Sequence, residues 1–379
     1  MRQALAFALF GIETRYVARL YLLRLGIVAF AIAAVVLAID IAGNFDAVMA
    51  AAGPRALPDG MSRVSVYLLL RLAYNLPAIL PLATAIGIVW AEWSLARGLE
   101  RTIIVNTGRS PFVSMVPVLL VGLLIGGLQY SALSVVRPMA VAAQGSMGFR
   151  YHGPRLAGAT VETRWIALEG AVMHTGIGFP GGEARFSDLT LFELDRERRL
   201  RAITSAPAGW LEDGRLILDS PHRWPPPVDA GEAGEAPEAG GAGPFIDPVW
   251  LRNIGIEPRF LPGRDLARLA RGGPGVIDAA AFRATRQDRL AAVPRVLAMA
   301  LLMATMSLAV MRPRMSIVPA LKLAAAGYGL HFLSQFLSTL GQSGQVPAAL
   351  AFWALPGVII ALCLWHHLSG ERAVALAQR

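Results

Sequence analysis

The sequence predicts a polytopic α-helical membrane protein with six transmembrane helices in two sets of three, separated by an inserted antiparallel β-domain of jelly-roll-like type. Three observations predict it. Apolar stretches lie at 20–42, 64–90, 112–135, 291–311, 317–338 and 348–364, each near the ~20 residues a helix needs to cross a ~30 Å hydrocarbon core. The chain is 55% hydrophobic and 16% charged, where soluble domains run at roughly 45–50% apolar and about 25% charged. Between the two apolar halves, short runs alternate with turn residues. The expected division is therefore 1–137, 138–290 and 291–379, with helices at both ends and the sheet between them.

The N-terminal apolar run at 4–10 is short, and Glu13 and Arg15 follow it without a clean cleavage site. It reads as an interfacial helix leading into the first span and not as a cleaved signal. Arginine sets the expected orientation. An even number of spans puts both ends on one side, and the short segments of that side carry Arg2, Arg15, Arg19, Arg97, Arg101, Arg109, Arg312, Arg314, Arg372 and Arg379. The opposite short loops carry Arg55 and Arg63. The positive-inside rule places both ends in the cytoplasm and 138–290 outside. Lys322 is the sole lysine, so the net charge of +9 is almost wholly arginine at membrane edges. Anchoring to anionic headgroups explains that charge better than nucleic acid does. The single cysteine, Cys363, lies in the last span and leaves no intrachain disulfide. The external domain must hold together by burial.

In the external block, runs at 165–174, 184–194, 200–205 and 209–218 have strand character, and turn signals at 178–182, 195–198 and 212–214 separate them. Asp213-Gly214 between apolar pairs is a hairpin signal, because a type I′ turn needs positive φ at both central residues. Such spacing suggests a sandwich or jelly roll. The segment 225–243 is acidic, low in complexity and nearly free of large apolar groups, and reads as a disordered insertion.

Motifs for soluble catalysis are missing from the sequence. A phosphate-binding loop needs a glycine-framed lysine, and Lys322 sits in an apolar ALKL run. HExxH, GxSxG and paired CxxC do not occur, and the six histidines are scattered. No cofactor is expected on this chain, and any energy-consuming role needs a partner that hydrolyses ATP.

Several local patterns resemble the LptF/LptG family of lipopolysaccharide-export permeases, also called YjgP/YjgQ. TRYVARL at 14–20 resembles the family's RYLxR before its first helix, and LPLATAIG at 80–87 resembles LPxAxLxG. ERTIIVNTG at 100–108 keeps the Glu-to-Gly spacing of SExxxxxxxG, with Leu99 in the usual serine position. LGQSG at 340–344 with Pro347, Ala351, Trp353 and Pro356 is similar to LGxSGxxPxxxAxWxP. The resemblance implies an inner-membrane, non-enzymatic half-transporter with a periplasmic jelly roll. It implies pairing with an LptF/LptG-type paralogue, seating on an LptB-type ATPase dimer that uses the ATP, and delivery of lipopolysaccharide to an LptC-type periplasmic bridge protein. The C-terminal pattern and Asp40 resemble LptG slightly more than LptF. Basic residues that LptG members often carry near the outer end of the first helix are absent from 40–46, which reads DIAGNFD.

Candidate site residues follow from both readings. In the loop 94–110, Arg97, Glu100, Arg101 and Arg109 surround the apolar run 103–105. On one helix Arg97 and Arg101 would share a face. A short helix with charged edges and an apolar side suits docking into a groove, and Gly108 would end it before Ser110-Pro111. The family resemblance makes this the coupling segment and Glu100 its coupling glutamate; the alternative is a solvated loop that sets topology. Arg71 lies about two turns inside the second span, where its charge costs up to roughly 2.5–3.5 kcal/mol at full depth. It could hold lipid phosphate, snorkel to the interface, or pair with Asp40 or Asp46. His331 and Gln335, one turn apart, could line a lipid path or join helices.

The favoured expectation is a permease subunit of the lipopolysaccharide-export ABC transporter. A mechanotransmitter or receptor whose external domain binds a partner without moving lipid is the alternative. An intramembrane lipid enzyme is disfavoured by the missing nucleophile–base or metal constellation.

Overall fold

The computed structural model describes residues 11–51, 59–106, 113–149, 162–168, 170–179, 183–224, 243–313 and 316–377. The segment 225–242, Gly108, Arg109 and Arg314 lie outside these, and with them most of the expected insertion. Two compact units are present. A helical unit comprises 1–45, 64–140 and 284–379, and a sheet unit comprises 46–63 and 141–283.

The long helices are α1 (Ile12–Met49) and α2 (Gly60–Arg97), followed by the short α3 (Glu100–Asn106). Next come α4 (Val116–Ser131) and α5 (Arg137–Ser146), joined by a π-helical turn at Ala132–Val136. After the sheet, α8 (Ala279–Leu290), α9 (Ala292–Val310), α10 (Val318–Gln342) and α11 (Leu355–Ala377) complete the helical unit.

Among the described residues, five helices are long and apolar enough to cross a membrane: Ile12–Met49, Gly60–Arg97, Val113–Ser146, Ala279–Val310 and Leu350–Ser369. The expectation of six is therefore corrected to five, three before the sheet and two after it. The stretch 317–338 does form a helix, but Lys322, Tyr328, His331, Ser334, Gln335 and Ser338 dilute its apolar content. Length alone favours a span there and composition does not. With five crossings, the parity that placed both ends on one side no longer applies.

The helices pack where side chains are small. A Cβ at Gly87 would lie 2.7 Å from the Leu25 Cα, so α1 and α2 touch backbone to backbone there. A Cβ at Gly126 in α4 would likewise lie 3.0 Å from the Val293 Cα in α9. Such contacts replace the hydrophobic drive that lipid does not supply. Val118, Val121, Ile125, Val296, Ala300 and Ala304 fill the core beside them.

Pro77 and Pro81 interrupt α2. Pro81 has no N–H, so the carbonyl of Pro77 four residues earlier loses its helical partner. Gln129 of α4 fills the gap, its Nε2 donating to the Pro77 oxygen at 2.7 Å in a buried site. A freed carbonyl in hydrocarbon must find a substitute donor, and this one also ties α4 to α2.

Among the described residues the sheet unit holds six antiparallel strands: β1 (Glu162–Leu168), β2 (Ala171–Gly178), β3 (Arg185–Leu194), β4 (Leu200–Glu212), β5 (Arg215–Asp219) and β6 (His222–Trp224). They follow chain order from β1 to β5, and β6 lies beside β4. This is an open, uncurled sheet and not the expected jelly roll. The physical reason is the connections: short segments join each strand to the next in chain order, whereas a jelly roll needs long crossings between two sheets. The expected run at 165–174 breaks at Gly170 (φ 74°), and the run at 209–218 is split by a two-residue turn, its first part continuing 200–205 in the long β4 and its second part forming β5. Asp213 and Gly214 take φ of 48° and 79° in that turn, both positive as type I′ requires.

Met173, Leu189, Leu191, Phe186 and Leu216 line the buried face of the sheet. It is covered by Ile246, α6 (Pro248–Arg252), Leu261, α7 (Gly263–Leu269) and Phe282. Asp247 caps α6, accepting from the Val249 and Trp250 amides at 2.7 and 3.1 Å.

Replacing Gln129 with Leu leaves the Pro77 carbonyl buried without its donor. The expected loss is about 1–3 kcal/mol, read as a lower thermal midpoint in detergent micelles, while Leu124→Ala on an exposed α4 surface changes it little.

Candidate functional site: two polar clamps on the second helix

Two groups of polar side chains join α1 to α2, one toward each end of α2. The first begins where α2 stops. Gly98 and Leu99 interrupt the helix, Leu99 with a left-handed φ of 63°, and α3 starts in a new direction at Glu100. The single helix expected across this loop does not form, so Arg97 and Arg101 do not share a face. Arg97, exposed, lies over the Trp93 ring at 5.4 Å. Arg101 instead turns back from α3 onto α2 and is 8% exposed.

There it meets Glu92, 1% exposed, and Tyr21 of α1, fully buried. The Arg101 Nε donates to Glu92 Oε2 at 2.9 Å, and its Nη2 pairs with Glu92 Oε1. The Tyr21 hydroxyl donates to the same carboxylate, and Arg101 Nη2 reaches the Tyr21 oxygen at 3.3 Å. Burial works against the Arg101 charge, but the Glu92 carboxylate and the Tyr21 hydroxyl outweigh it and hold its pKa above the ordinary value. One turn earlier on α1, the Tyr16 hydroxyl donates to Glu100 Oε2 at 2.6 Å. The short α3 is thus fastened to α2 by an ion pair and to α1 by two tyrosines. Its free side shows Thr102, Asn106 and Ile103, the last 65% exposed.

The second group lies toward the start of α2. Arg71 donates through Nε to Asp40 Oδ2 at 2.9 Å and pairs through Nη2 with Oδ1. Tyr67 donates to the same Oδ2 at 2.6 Å. Asp40 is therefore the partner of Arg71, one of the alternatives open at the level of sequence. Two guanidiniums lie over the Tyr74 ring, Arg71 at 4.8 Å and Arg137 at 4.7 Å. The fork-to-fork Arg71–Asp40 geometry is the strong form of a charged hydrogen bond.

The remaining candidates stand on α10. His331 is half-buried, and the charge of Arg295 acts on it. Gln335 is exposed. Ser334 and Ser338, on the inward face of the same helix, are buried. Asp288 of α8 gathers Arg295 at 2.6 Å, Ser338 at 3.0 Å and Gln342 at 3.3 Å, fastening α10 to the bundle.

Sequence reading singled out Arg71, Arg97, Glu100 and Arg101 but missed Tyr16, Tyr21, Glu92, Tyr67, Tyr74 and Arg137. Glu92 and Arg101 are nine positions apart, a spacing that no single helix brings together. An acid just beyond an apolar stretch was the one available signal.

Arg71 and Glu92 are 21 residues apart on α2, about 31 Å at ~1.5 Å per residue. That separation matches the ~30 Å thickness of a hydrocarbon core. Among the described residues no group of three or more His, Cys, Asp or Glu side chains could hold a metal ion. The polar chemistry joins helices.

Long apolar helices and charge pairs at the two ends of a membrane-thick interval define a polytopic membrane protein. The chain belongs to the family described as lipopolysaccharide export system permease LptF/LptG, whose sequence model matches residues 15–368. Membership places the chain in the inner membrane as part of an ABC-type lipopolysaccharide export system. No curated protein matches the chain.

Replacing Arg71 with Met strands the Asp40 carboxylate, and the expected loss is about 3–5 kcal/mol. The double variant Arg71→Met/Asp40→Leu recovers most of it, read by thermal unfolding of the purified protein in detergent.

Proposed function

We propose that the chain is the permease subunit that extracts lipopolysaccharide from the inner membrane and passes it to a periplasmic β-domain bridge protein of LptC type. It pairs with an LptF/LptG-type paralogue and is driven by a cytoplasmic LptB-type ATPase dimer. The family match across 15–368 carries the proposal. The shape of α3 supports it: a helix of seven residues with exposed Ile103 is suited to a groove on a soluble partner.

In this reading α3 and the start of α1 face the cytoplasm, and the sheet unit projects into the periplasm. Three crossings separate the start of α1 from the sheet and one separates α3 from it, and Arg15, Arg19 and Arg97 gather at the cytoplasmic ends of α1 and α2, with Arg101 beside them on α3. Glu100, Arg97 and Arg101, with Gly108 and Arg109 beyond the described residues, form the coupling segment. His331 and Gln335 flank the lipid path on α10. Arg71 is already engaged by Asp40, so it supports the path by holding α1 against α2.

Charge reversal at Glu100 (Glu100→Arg) is expected to leave the chain in the membrane and weaken its co-purification with the ATPase about tenfold or more, with lipid release from proteoliposomes falling alongside. Unchanged ATPase binding and lipid release would remove the coupling assignment.

A further inference from the structure

We infer that Tyr21, Glu92 and Arg101 form a clamp that makes α3 move as one piece with α1 and α2, so that force applied to α3 reaches the spans. The inference rests on the coupling role proposed for α3 and adds two positioning residues, Tyr21 and Glu92, to it.

Three observations carry it. The chain is broken between α2 and α3 by Gly98 and by Leu99 in the left-handed region, so the helical backbone itself does not transmit a push. Arg101 spans the break, reaching from the first turn of α3 to Glu92 on α2. Tyr21 then connects both partners to α1, and Tyr16 connects Glu100 of α3 to it. A buried ion pair contributes little net stability over apolar packing. Its geometric demand is strict, because two-pronged contact with a carboxylate fixes both distance and plane. That combination suits a joint that must keep its angle.

The test uses the chain assembled with its paralogue and ATPase in proteoliposomes, with two readouts. Spin labels at Asn106→Cys on α3 and Leu23→Cys on α1, in a Cys363→Ser background, report how sharply the two helices are held. Lipid released per ATP hydrolysed reports coupling. Glu92→Gln and Tyr21→Phe are expected to broaden the label distance and lower the release ratio about fivefold or more. The swapped pair Glu92→Arg/Arg101→Glu is expected to restore both. Tyr21→Phe removes a single oxygen and serves if Glu92→Gln does not accumulate in the membrane. An unchanged distance distribution in the variants overturns the clamp. A broadened distribution with an unchanged release ratio overturns its role in coupling and leaves the proposed function standing. An unaltered complex that hydrolyses ATP yet releases no lipid overturns the proposed function and this inference together.

Discussion

A guanidinium buried among apolar helices needs a carboxylate close by, and much of this structure answers that requirement. An unpaired charge in such surroundings costs several kcal/mol, so Arg71 and Arg101 specify which helix lies beside them. Arg71 brings Asp40, and hence α1, to the start of α2. Arg101 brings Glu92 and Tyr21 together at the other end. Between these points the Arg24 guanidinium of α1 lies over the Trp90 ring of α2 at 4.3 Å, and Gly87 lets the two backbones approach directly. The apolar interval supplies closeness and the charged ends supply register.

The same economy governs the proline pair. A helix in lipid can lose a hydrogen bond only if another group replaces it. Gln129 does so from a different helix, turning a local defect in α2 into a link to α4. Asp288 has the corresponding part in the C-terminal half, drawing together α8, α9 and α10 through Arg295, Ser338 and Gln342. α10 is too polar to read as a span by composition, yet it is held by the polar groups that disqualify it.

Much of the layout was legible in the sequence because hydrophobic length and turn chemistry are local properties. The first three spans, the last, the strand-bearing character of the middle and the Asp213-Gly214 turn needed no knowledge of distant residues. The errors have a common source. Whether 317–338 spans, and whether strands close into a jelly roll, depends on what covers each surface, and that is not local. Arg71 was conspicuous as a charge in an apolar run, whereas Glu92 drew no attention because its partner lies across a helix break. Tyr21 and Tyr67 look like ordinary interfacial aromatics until their hydroxyls are seen to point at carboxylates.

The near-absence of lysine has a consequence for the joint at α3. A lysine ammonium placed where Arg101 sits could shed its proton on desolvation and let go of its carboxylate. A guanidinium keeps its proton at any alkalinity a cell survives. The connection between α3 and the spans therefore has no basic-side release.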